Sequence, residues 1–203
     1  MKATKESLLA APLLIGSINA DPKLRLVMHV GDIHSGGMPC TDAGLDPLPA
    51  TAAPSWNQGI LDLSAQFRDP LVYTPGDNEW TDCHKKKEGA SGYPPNELAP
   101  GGAGLDHYTP FVQALADLAV TFGRPVLLLN GDSHQFDVDQ PLADPTTALG
   151  LIHDTQAVPN LTCITVQGAN NEPREWLRVA IDPRTSQVFT WQNVSYCDDT
   201  TCP

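Results

Sequence analysis

Apolar positions along this chain follow two rhythms. Residues 24–30 (LRLVMHV), 71–74 (LVYT) and 126–129 (VLLL) are short apolar runs without a helical period, each followed within two residues by a glycine. Such runs predict buried strands. Trp56, Ile60, Leu63 and Phe67 recur at helical spacing, as do Phe111, Leu115, Leu118 and Phe122, which predicts two amphipathic helices. Gly123 and Pro125 stop the second of them. Beyond residue 160 the rhythm changes: 161–166, 176–181 and 187–191 read as successive strands, and Asp182-Pro183-Arg184-Thr185 joins the last two as a hairpin. Strand–helix–strand units followed by antiparallel strands predict an α/β layered sandwich with a C-terminal antiparallel hairpin, built as a single domain over residues 1–203.

Two segments lack either rhythm. Residues 35–54 are rich in Gly, Pro, Ala and Thr, and 84–104 carry Lys85-Lys86-Lys87, Pro94-Pro95 and Gly101-Gly102. Both read as loops, the second long and irregular. The N-terminus supports two readings. Lys2 and Lys5 before the apolar stretch from Leu8 to Ile15, with small residues up to Ala20, form a poor signal peptide. The alternative is a helix feeding the strand at Leu24, which Glu6 and Pro12 favour.

Charge narrows the possible partners. Lys and Arg total 12 against 24 Asp and Glu, a formal charge of −12, with no basic stripe. That balance argues against nucleic acid as a partner. No apolar run reaches the roughly 18 residues of a membrane span, so no membrane partner is expected either. None of the five cysteines (Cys40, Cys83, Cys163, Cys197 and Cys202) forms a C-x-x-C pair, which argues against a structural zinc site. Cys197 and Cys202 enclose a short polar loop suited to a disulfide, and Cys40 and Cys83 each follow a Gly-Asp motif and form a second candidate pair. Cys163 alternates with apolar residues and reads as a buried thiol. Two bridges and one core thiol fit an oxidising compartment, periplasmic or secreted.

The candidate chemistry lies where the strands end. The three runs close on Gly31-Asp32-Ile33-His34, Gly76-Asp77-Asn78-Glu79 and Gly131-Asp132-Ser133-His134. Ligands of open α/β sheets gather at the carboxyl ends of strands, and glycine there lets the backbone turn and leaves room for a metal or phosphate. A lone Gly-Asp is more often an ordinary turn; its recurrence after three apolar runs is a more specific signal. The repeated Asp-x-His spacing adds to it, because residues i and i+2 of an extended segment point the same way. Carboxylates mixed with imidazoles suit zinc, manganese or iron better than calcium.

Three segments carry a family resemblance: Val30-Gly31-Asp32-Ile33 with Ser35-Gly36; Thr74-Pro75-Gly76-Asp77-Asn78-Glu79-Trp80 with Cys83; and Val126 to Leu128 leading into Gly131-Asp132-Ser133-His134. Together they resemble the calcineurin-like metallophosphoesterases, in particular a bacterial branch with GDNEW where others have GNHE and GDSH where others have GHxH. The resemblance implies that fold's layered sandwich, one or two divalent cations (manganese, zinc or iron) and a small phosphorylated substrate. It makes Asp32 the bridging ligand, Asp77 and Asp132 ligands of the second cation, and His134 a ligand of the first. Asn78 falls where the family has a His that assists the leaving group, and His34 and His84 are the candidate replacements. The chain departs from the family in two places: it has no earlier strand bearing a first Asp ligand, and it has no central His strand between the second and third motifs. A second alignment therefore remains open, with Asp32-Ile33-His34 as the opening D-x-H and Asp77 as the bridge. Metal-dependent phosphoester hydrolysis is the expected function. The alternative is a non-catalytic remnant of the scaffold that binds a ligand or partner.

Overall fold

The computed structural model describes residues 8–34, 47–48, 51–76, 108–131, 133–169, 171–197 and 202. Within them the chain is a mixed α/β protein with small sheets and a C-terminal antiparallel hairpin. The elements are α1 (Ala11–Ala20), β1 (Val27–His29), α2 (Trp56–Ser64), β2 (Leu71–Tyr73), α3 (Thr109–Phe122), β3 (Val126–Asn130), β4 (Asp137–Asp139), α4 (Ala148–His153), β5 (Leu161–Thr165), β6 (Glu175–Ile181) and β7 (Phe189–Ser195).

β1 and β2 run parallel, Val27 beside Leu71. β5 lies between β3, to which it is parallel, and β4, to which it is antiparallel. β6 and β7 form the hairpin read from the sequence, in register from Glu175–Ser195 to Ile181–Phe189. At the turn Asp182 accepts from Arg184, which holds the Asp182 carboxyl below its ordinary pKa.

The N-terminal stretch is helical from Ala11 to Ala20, with Pro12 in its first turn, where the missing N–H costs no helix bond. Leu8, Ala11 and Ile15 pack with Trp56, Leu63 and Leu48 into one core cluster that joins α1 to α2. The C-terminal end of α1 is tied to the hairpin, where Trp176 donates to the Ser17 hydroxyl at 3.0 Å and Arg178 meets Asp21 at 2.7 Å. Ser55 caps α2 by accepting from the Gln58 N–H.

A second cluster packs α3 on the β3–β5 sheet through Ala116, Ala119, Leu142, Val158 and Leu161. The helix stands where the sequence puts it, but it buries a different face. Phe111, Leu118 and Phe122 are 63%, 69% and 61% exposed, while the fully buried positions are Ala116 and Ala119. Small residues let a helix lie close on a sheet, and bulky ones at those positions would hold it off. Ala119→Leu is therefore expected to destabilise by about 1–3 kcal/mol, and Phe122→Ser by no more than about 0.5 kcal/mol. Urea denaturation of the two variants checks this; the reverse order of costs would mean that the large apolar stripe is the packed face.

Other expectations need trimming. The strand read over 24–30 is regular only from Val27 to His29, and it is not buried throughout, since Met28 is 52% exposed. β4 and α4 are absent from the sequence reading. β4 has one apolar residue, Val138, and α4 is six residues long, too short to establish a period. The structure has a Cys197–Cys202 disulfide with Cα atoms 5.3 Å apart, and Cys163 is a buried free thiol. The candidate Cys40–Cys83 pair and the loop read over 84–104 lie outside the described residues. Among the described residues no helix is long and apolar enough to cross a membrane.

Candidate functional site

The strand ends converge. At the end of β1, Gly31 adopts φ +99°, and a Cβ added to it would lie 2.5 Å from the Gly76 Cα. A Cβ on Gly76, beyond the end of β2, would overlap the Asp32 carboxylate. Beyond β3, a Cβ on Gly131 would approach the Val30 carbonyl oxygen to 3.2 Å. The three motif glycines thus bring three backbones close together: Gly31 and Gly76 meet beside Asp32, and Gly131 meets Val30. Asp32 leaves no room for a side chain at Gly76, and the Gly76 backbone leaves none at Gly31.

Asp32 is buried, and its Oδ2 lies 3.7 Å from His134 Nε2. The sequence expectation that Asp-x-His segments stay extended does not hold: Asp32 has φ +63° and His134 φ +60°. Both are left-handed positions, which Asp and His tolerate better than most residues. The chain therefore turns at Asp32, and His34 is not carried to the same side by strand alternation. His34 is buried with its ring stacked on Trp56, centroids 6.3 Å apart, and Trp56 Nε1 donates to the Ile33 carbonyl at 3.4 Å. The helix start that supplies core residue Trp56 thus also fixes the loop carrying Asp32 and His34.

The His134 turn is fixed on both sides. Its N–H donates to the Gly131 carbonyl at 3.1 Å, and its own carbonyl accepts from the Gly168 N–H at 2.8 Å and from the Asn171 carboxamide. Gln167 accepts from the Phe136 N–H at 2.9 Å. Below the turn, Asn130 donates to Cys163 Sγ at 3.1 Å and accepts from the Thr165 hydroxyl at 3.2 Å, which locks the end of β3 to β5. Burial raises the Cys163 pKa, only partly offset by that Asn130 bond, so Cys163 stays a thiol at neutral pH and is a poor nucleophile.

Sequence reading missed Gln167 and Asn171. A signal was available, because they follow the end of β5, which runs parallel to β3, so the strand-end rule that singled out the three Gly-Asp motifs applies there too. What concealed them is their chemistry: amides that bond to backbone do not stand out as catalytic residues.

Of the candidate site residues, Asp32 and His134 are brought together and His34 sits on the adjacent loop. Asp77, Asn78, His84 and Asp132 lie outside the described residues. Among the described residues no three His, Cys, Asp or Glu side chains form a metal-binding group. The Asp32–His134 pair is nonetheless spaced for one cation: donors roughly 2.0–2.2 Å from a zinc-sized ion stand about 3–4 Å from each other, and here the separation is 3.7 Å. No protein-family model, curated protein or solved structure matches the chain.

Proposed function

We propose that this protein is a metal-dependent hydrolase of small phosphate esters, with the layered sandwich and site of a calcineurin-like phosphoesterase. The observation that carries this reading is the meeting of three glycine-bearing strand ends around the Asp32–His134 pair. Asp32 and His134 are the ligands assigned to the first cation; Asp32 also serves the second, with Asp77 and Asp132. A divalent cation held there supplies Lewis-acid polarisation of the phosphoryl oxygens.

The chain's own residues do the rest. Gly168 and Asn171 hold the His134 turn, so the imidazole is positioned before substrate arrives. Trp56 holds His34 buried two residues from Asp32, on a turn that does not carry its ring to the Asp32 side, so His34 does not replace the missing acid. Asn78, in the position of the family's leaving-group His, cannot donate a proton as an acid does. Esters whose leaving group needs no proton should therefore react best. The Cys197–Cys202 disulfide is compatible with export to an oxidising compartment, which we include in the reading.

The test compares an aryl phosphate with an alkyl phosphate, with added manganese or zinc. The expected result is hydrolysis that favours the aryl ester by at least about tenfold, in keeping with general-acid contributions of 10²–10⁴, and that stops on chelation. Activity that survives chelation would refute the metal mechanism. No hydrolysis with any metal, together with no bound metal, would favour the non-catalytic scaffold.

A further inference from the structure

A cleft of about 570 Å³ opens beside the His134 turn, and both neighbours of that histidine, Ser133 and Gln135, line it. Its polar wall is unusual in composition: four carboxamides, from Gln135, Gln167, Asn171 and Asn193, and two carboxylates, from Glu172 and Glu175. Among the described residues no Lys or Arg lines it. Phe136 and Pro173 supply apolar surface in the same wall.

These groups are not equally occupied. Gln167 bonds Phe136 N–H and the Pro173 carbonyl, and Asn171 bonds the His134 carbonyl. They are the rigid part of the wall. The Gln135 and Asn193 side chains line the cleft from the turn after β3 and from β7, and no hydrogen bond among the described residues holds either carboxamide.

The chemistry selects a ligand class. A carboxamide offers a donor and an acceptor side by side, and a carboxylate accepts; a hydroxyl can satisfy either. An apolar ring face beside such groups suits the C–H face of a sugar. Glu172 is paired with Arg174 at 3.1 Å, but Glu175 has no cationic partner among the described residues, so the wall keeps a net negative charge that disfavours an anion, and phosphate itself does not belong in this cleft. We propose that the cleft binds a neutral polyhydroxylated group, a sugar ring. Resting on the phosphoesterase reading, this ring is the alcohol part of the ester, and its phosphate lies toward Asp32 and His134.

The experiment separates the two ideas by measuring binding without catalysis. Neutral methyl glycosides are titrated into the metal-free protein, and the side-chain amide signals of Gln135, Gln167 and Asn193 are followed by NMR. Shifts at these signals with millimolar affinity are expected, weakened at least tenfold in Asn193→Leu. Gln135→Leu, at an exposed turn position where folding is not at stake, is expected to weaken binding as well. Asp32→Asn is expected to keep sugar binding while losing hydrolysis, so failure of the catalytic reading leaves this one standing. Absence of shifts with every glycoside, or shifts at the same signals from inorganic phosphate alone, would overturn the proposal.

Discussion

Gly31→Ala is expected to destabilise the protein by about 3–4 kcal/mol, the sum of a strained left-handed backbone and an overpacked contact. The glycine has φ +99°, which alanine rarely adopts, and the new methyl would sit 2.5 Å from the Gly76 backbone. Backbone on both sides cannot yield as a flexible side chain would. Gly76→Ala is expected to do comparable damage by a different route, because its methyl would occupy the space of the Asp32 carboxylate. At this size of domain 1 kcal/mol moves the melting temperature by roughly 2–4 °C, so either change should lower it by on the order of 10 °C. Gly16→Ala is the control: nothing lies within 4 Å of its added methyl, and it falls inside α1. It should gain up to about 1 kcal/mol. Denaturant titrations of the three variants check the contrast. Costs under about 1 kcal/mol for both Gly31→Ala and Gly76→Ala would mean that these strand ends do not meet as described.

The convergence was only partly legible in the sequence. Glycine before aspartate after three apolar runs marks positions where backbone must come close, and Gly31 and Gly76 do touch. The local conformation was not legible. Strand alternation predicts that Asp32 and His34 share a side, but Asp32 turns left-handed at φ +63° and His34 stacks on Trp56 instead. Helix α3 teaches the same lesson. Its period was legible from Phe111, Leu115, Leu118 and Phe122, yet the fully buried contacts belong to Ala116 and Ala119. A pattern weighted by side-chain size finds the helix but cannot know that a close-lying sheet requires small residues. His153 shows the limit for single polar residues: it is fully buried, its Nδ1 2.8 Å from the Thr109 hydroxyl, and it ties α4 to α3. Nothing in the spacing of the sequence distinguishes such a histidine from a ligand.

Asp32→Asn should carry the largest functional effect. The substitution keeps the shape of the side chain and removes its charge, so the crowded approach of Gly76 is preserved while the proposed cation loses its anionic ligand. Changes in residues that merely orient metal ligands typically cost 10–100-fold; loss of the ligand at the centre of the site is expected to cost about a thousandfold or more in hydrolysis of an aryl phosphate. His134→Ala should follow in the same direction. By contrast, Asn171→Ala frees one bond to the His134 carbonyl and leaves that from Gly168, so its loss should fall nearer the range for an orienting residue. Activity of Asp32→Asn within a factor of ten of the unsubstituted protein would remove Asp32 from the metal shell.

The most direct test of the site is the metal content of protein purified without chelator, measured by elemental analysis beside Asp32→Asn. The account predicts at least one manganese, zinc or iron ion per chain in the unsubstituted protein and a marked loss in the variant. A metal-free protein that takes up none of these cations on dialysis, or metal retained in full by Asp32→Asn, would contradict it.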